Sequence, residues 1–91
     1  MRTASLEVRA LASLHALSRV GLIVPRYGHS AVERNLVKRR LRELVRLELL
    51  PALADAAPND LVIRALPVAY ARGWDELQRD IRQVIAWRER H

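Results

Sequence analysis

From Ser5 to Ala12 apolar and polar residues alternate, with Leu6, Val8 and Ala10 on one side and Glu7, Arg9 and Leu11 on the other. Successive side chains of a strand project to opposite faces, so this alternation predicts a half-buried strand. A loop without clear periodicity follows. Arg19 to Val24 is then a compact β-prone run halted at Pro25, which predicts a second strand. Tyr27, Gly28, His29 and Ser30 form a turn, and Ser30 with Glu33 has the spacing of a capping box. A helix is predicted from about Ala31 to Leu50 or slightly beyond, because Val37, Leu41, Leu44 and Val45 recur at helical spacing. Pro51 belongs either to a loop or to a new first turn. Pro58, Asn59 and Asp60 signal a turn, and Leu61 to Leu66 reads as a third strand before Pro67. Beyond Gly73 a second helix carries Leu77, Ile81, Val84 and Ile85 on one face. Asp75, Glu76 and Asp80 suit its positive start, and Arg88 and Arg90 its negative end. Trp74 and Trp87 flank the apolar face and read as packing residues.

The resulting order is strand, strand, helix, strand, helix, within 91 residues that leave room for one core and so for a single domain. Apolar residues make up 51% of the chain, too many for a disordered tail. Charge sharpens the reading. Sixteen Lys and Arg against ten Asp and Glu give a net charge of +6, which points first to a nucleic acid and second to an anionic membrane surface. No apolar run approaches the ~18 residues that span a bilayer, and no basic-then-apolar signal peptide opens the chain, so a cytoplasmic location is expected. Without Cys, disulfides and thiolate metal sites are excluded.

On a helical wheel, Arg34, Asn35, Lys38, Arg39, Arg42 and Arg46 share one broad sector, whereas Glu33, Glu43 and Glu48 fall outside it. Solvated helix faces commonly mix Glu with Lys at spacings of four. Here like charges follow one another at that spacing, a repulsion that a bound polyanion would offset. A basic DNA-reading helix fits this pattern equally well.

The stretch Arg19 to Arg46, RVGLIVPRYGHSAVERNLVKRRLRELVR, resembles the bacterial ribonuclease P protein family. Its pattern is an RVGxxV strand, a short basic turn, a Gly, an AV pair, then RN followed by KR and RE on one helix. The matching positions are Arg19, Val20, Gly21 and Val24, then Gly28, Ala31 and Val32, then Arg34, Asn35, Lys38, Arg39, Arg42 and Glu43. Strand three and the final helix follow in the family's order.

The resemblance implies an α/β (α+β) two-layer sandwich, a small sheet with helices, whose ribosomal-protein-like βαβ crossover has the rare left-handed sense. Right-handed crossovers are the rule. It also implies a subunit of an endoribonuclease whose catalysis is carried by RNA, with Mg²⁺ held mainly by that RNA and no catalytic residue or metal site in the protein. The implied partners are ribonuclease P RNA, at one protein per RNA, and precursor tRNA, whose 5′ leader lies in a groove on the sheet. Membrane is not among them. By carry-over, Arg34, Asn35, Lys38, Arg39 and Arg42 are the expected RNA contacts, with Arg40 and Arg46 as further phosphate partners. Asn35 makes either an RNA contact or a local backbone contact. Arg26, Tyr27, His29 and Arg64 are the candidates for leader binding.

The chain also departs from the family pattern. Family members begin with a short amphipathic helix that walls the leader groove, whereas here Met1 is followed almost at once by the first strand. That suggests a short form, natural or produced by a start placed downstream of the true one. Leu6 and Val8 stand where aromatic stacking partners are usual, leaving Tyr27 as the best-placed substitute. Pro25, Arg26 and Tyr27 replace paired lysines, and Arg64 stands in for an Arg after the third strand's Ala. His15, His29 and His91 are scattered, so His29 is read as capping the turn or meeting phosphate. Two rival functions remain: a ribosomal-type structural RNA-binding protein with the same fold, and a basic DNA-binding regulator. The strand and long loop after Leu50 fit a helix-turn-helix geometry poorly.

Overall fold

The computed structural model describes residues 1–90, and His91 lies outside the described residues. Three strands, β1 (Leu6–Ala12), β2 (Arg19–Ile23) and β3 (Asn59–Ala65), form one sheet in the order β1-β3-β2. β3 runs antiparallel to β1 and parallel to β2. The central strand is thus the last of the three in sequence. A parallel pair needs a crossover between its members, and the helical segment after β2 supplies it.

That segment starts with α1 (Ala31–Leu44). Its capping box is complete: the Glu33 N–H donates to Ser30 Oγ at 3.2 Å, and the Ser30 N–H donates to Glu33 Oε1 at 3.0 Å. Winding then widens into a π-helical stretch, Val45–Leu49, where the Leu50 N–H reaches back to the Val45 carbonyl, before α2 (Leu50–Leu53) completes the rod. Pro51 sits in the first turn of α2. Its ring would crowd the carbonyl four residues earlier in a regular helix, and the wider turn relieves that clash. The wider turn also corrects the drift of a four-residue repeat, so Leu41, Val45, Leu49 and Leu53 all stay buried.

β3 begins two residues earlier than the sequence suggests. Asn59 and Asp60 belong to the strand rather than to a turn, because both find partners across the fold. The Asn59 N–H donates to Ser18 Oγ at 3.1 Å, and Arg19 donates to Asp60 through Nε at 3.2 Å and through its terminal nitrogen at 2.9 Å. The strand also stops at Ala65, one residue short of the expected end, and Pro67–Ala71 forms an unforeseen 3₁₀ turn. α3 (Trp74–Arg90) follows. Asp75 and Glu76 occupy its first turn. Asp80, expected to serve the helix dipole with them, lies beyond that turn and is buried at 3% exposure; a dipole fades within about one turn.

One core joins the layers. Leu6, Val8, Leu61, Ile63 and Ala65 on the sheet meet Val37, Leu41 and Leu44 of α1 and Leu77, Ile81 and Val84 of α3, with Trp74 and Trp87 packed at its margin. Leu6 and Val8 are 0% and 1% exposed, so they serve the core and do not occupy a binding groove. Along the strands the alternate residues face outward: Glu7, Arg9 and Leu11, then Asp60, Val62 and Arg64, then Arg19, Gly21 and Ile23. Helices cover one face of the sheet and leave the other open.

Candidate nucleic-acid interface

The helical period places Val37, Leu41 and Leu44 inward, and so turns Asn35, Arg39 and Arg42 out to solvent with Lys38 half-buried beside them. These four line one shallow concavity. Lys38, Arg39 and Arg42 take part in none of the ion pairs among the described residues. Three neighbouring cations without counter-charge form an anion-seeking surface.

The other predicted helix cations are committed elsewhere. Arg34 is half-buried and its Nε donates to the Val24 carbonyl at 2.7 Å, tying the helix to the end of β2. Arg40 donates to the carbonyl of Arg72, at the end of the 3₁₀ turn, at 3.2 Å, so it lies off the concavity. Arg46 pairs with Glu43 three residues earlier, and that guanidinium holds the Glu43 carboxyl below its usual range. The basic sector therefore has an acid at its far end. Side chains this long reach across sector boundaries that a wheel draws at the Cα atoms.

Between β2 and α1 the turn is heavily tied. Tyr27 and Gly28 both adopt positive φ, 48° and 86°. Gly tolerates this freely, whereas Tyr27 does so under strain and is held by its hydroxyl, which donates to the Ala65 carbonyl at 2.8 Å. Tyr70, missed in the sequence because it sits in the 3₁₀ turn, donates to the Pro25 carbonyl at 2.6 Å and stacks on His29 with ring centroids 3.9 Å apart. His29 Nδ1 lies 2.7 Å from Glu33 Oε2. The Glu33 carboxyl is pulled down to about 2, first by the Ser30 N–H, then by His29 and the Ser30 hydroxyl. Arg26 projects to solvent from this turn.

Arg64 stands on the open sheet face, opposite Glu7 on one side and Ile23 on the other. A concavity there is lined by Glu7, Arg9, Leu11, Ile23, Val62 and Arg64. Sequence reasoning missed Arg9, Val62 and Ile23, although their outward phase in the two-residue period marks them. Both acids of the face are already neutralised: Arg2 bonds Glu7 at 2.7 Å and Arg19 bonds Asp60, and each lowers its partner's pKa. Arg9 and Arg64 of this face take part in none of the ion pairs among the described residues. Tyr27 reaches the end of β3 beside Arg64, while His29 is turned away onto Tyr70.

A cationic helix, a basic turn and an open sheet face thus surround one small core. The family model described as Ribonuclease P matches residues 1–88. The chain belongs to the ribonuclease P protein family. Among relatives, the "Ribonuclease P protein component" of Kocuria rhizophila is 49% identical over 74 residues, covering 81% of this chain and 63% of that protein. The same-named protein of an Arthrobacter species is 49% identical over 68 residues, covering 75% of this chain and 48% of its relative. The chain spans about half to two thirds of the length of these relatives. A crystal-scale likeness agrees: the Staphylococcus aureus RNase P protein superposes with a TM-score of 0.77 at 18% identity, over 94% of this chain and 76% of that one. The ribonuclease P protein fold accordingly accounts for the α+β arrangement of a mixed three-stranded sheet with helices. No helix among the described residues is long and apolar enough to cross a membrane. Nor do three or more His, Asp or Glu side chains converge among them. Glu7 and Asp60 on the open face are each bonded to an arginine, which leaves neither carboxylate free as a Mg²⁺ ligand.

Proposed function

We propose that this chain is the protein subunit of a bacterial ribonuclease P, a cytoplasmic ribonucleoprotein that removes the 5′ leader from precursor tRNA. The observation that carries the reading is the unpaired cluster Lys38, Arg39 and Arg42 beside Asn35 on the exposed face of α1, in a chain of this family. Clustered cations gain affinity for a polyanion by releasing its counterions. That face docks on the catalytic RNA, one protein per RNA. Arg34 and Arg40 support it through their carbonyl contacts, and Arg46 adds a phosphate contact when it leaves Glu43.

Precursor tRNA meets the opposite side. Its single-stranded leader lies across the open sheet, with Arg64 and Arg9 for phosphates and Arg26 and Tyr27 at the end of the groove. Cleavage belongs to the RNA, and Mg²⁺ to the RNA's phosphates; the protein supplies affinity and position. The ribosomal-type alternative is not favoured, since the relatives carry the ribonuclease P name.

The test is cleavage of precursor tRNA by ribonuclease P RNA across a Mg²⁺ series, with and without the chain. The protein should lower the Mg²⁺ requirement and cleave nothing alone. An unchanged requirement at low Mg²⁺ would reject the reading.

A further inference from the structure

A second groove runs along the flank of α1, between the helix and β2. Its floor is apolar: Val20 and Leu22 of the strand, with Val45 and Leu50 from the helical rod. Its rim is cationic, formed by Lys38, Arg42 and Arg46. The space measures about 430 Å³, within the range of clefts that seat small ligands, about 300–1,000 Å³. β2 is an outer strand of the sheet and among the described residues pairs with β3 alone, so the strand side of the groove also offers backbone N–H and C=O groups without a strand partner among them.

Two of the rim cations, Lys38 and Arg42, also line the concavity with Asn35 and Arg39. The groove is therefore continuous with the proposed RNA-docking face, and the same polyanion that reaches one reaches the other. A paired RNA helix would satisfy the cations with phosphates but leave the apolar floor bare, because its base faces are stacked inside the duplex. An unpaired nucleotide satisfies both. We propose that this groove seats an extruded, unpaired base of the bound RNA over Val20, Leu22 and Leu50, with the flanking phosphates at Lys38 and Arg42. The inference rests on the reading of the chain as an RNA-binding subunit.

Leu22→Gln and Leu50→Gln in the full chain test it, with binding to in vitro transcribed ribonuclease P RNA measured over a salt series and the reactivity of unpaired bases probed in the complex. Each variant should bind about tenfold more weakly, the loss expected when one aliphatic contact is removed. The salt slope should stay unchanged, since no phosphate contact is lost. Unpaired bases protected by the parent chain should regain reactivity. Leu50 lies at the outer margin at 38% exposure, so its variant keeps the test alive if the half-buried Leu22 proves necessary for folding. Parent-like affinity in the folded variants, or protection confined to paired regions, overturns the proposal while leaving the functional reading intact. So does a result in which both variants bind RNA normally but lose a labelled Glu-Leu repeat peptide, which assigns the groove to an acidic protein segment. Failure of the parent chain to bind the RNA at all rejects the functional reading and this inference with it.

Discussion

Arginines of one helix divide by what their guanidinium groups already touch. Arg39 and Arg42 touch no acid, so each is expected to contribute about one phosphate contact, and replacing either by Ala should reduce the magnitude of the log-log salt slope by about one unit. Filter binding or fluorescence titration between low and moderate salt reads this directly. Arg40→Ala should leave the slope as it is and instead lower thermal stability, because its partner is the Arg72 carbonyl. The distinction was not legible in the sequence. Periodicity gave the outward phase of Asn35, Lys38, Arg39 and Arg42, but the acceptors that claim Arg34 and Arg40 lie 10 and 32 residues away. Tyr27 shows the same limit: its aromatic character was plain, whereas its positive φ and its bond to Ala65 depend on where β3 ends.

At the scale of the element, the start of α1 is both readable from local sequence and sensitive to pH. Ser30→Ala removes the oxygen that accepts from the Glu33 N–H and should cost about 1 kcal/mol in a denaturation experiment. Glu33 has a folded pKa of about 2 against an ordinary value of 4.5. A depressed folded value means that the carboxylate's contribution is complete above about pH 4.5 and declines as the pH falls toward 2. The melting temperatures of the parent and of Glu33→Gln should therefore differ near neutral pH and converge over that acid window. Ser30 and Glu33 are read from four residues of local sequence, which is why the capping box was foreseen. The continuation of the rod past Leu44 was foreseen only in length. Widened winding ahead of Pro51 answers both the local clash of the proline ring and the burial of Val45, Leu49 and Leu53 against the remainder of the fold, and only the first of these is written in the local sequence.

For the molecule as a whole, the single core makes both faces depend on β3. Ile63 is fully buried in that strand, and Ile63→Ala should cost about 2–5 kcal/mol, visible as a fall in melting temperature of at least several degrees. Its RNA affinity measured well below that temperature should match the parent's, since no surface cation has moved. The two-layer arrangement was legible because alternation in β1 and the helical stripes of α1 and α3 specify which side of each element is apolar. Sheet order was not, because β1 and β2 are neighbours in sequence yet never pair. The open sheet face was only partly read for the same reason: Arg9, Val62 and Ile23 become neighbours only once β3 lies between the outer strands.

That placement of β3 has a consequence for biosynthesis. A nascent chain that has left the ribosome as far as Pro58 holds β1 and β2 without the strand that joins them, and its apolar residues Leu6, Val8, Val20 and Leu22 have no complete sheet to enter. The joining of β1 to β2 waits for Asn59 to Ala65, and the last helical lining waits for α3. Until β3 emerges, the growing polypeptide therefore carries apolar strand surface that chaperones and proteases can reach, and the switch to a protected globule follows the arrival of β3 and α3.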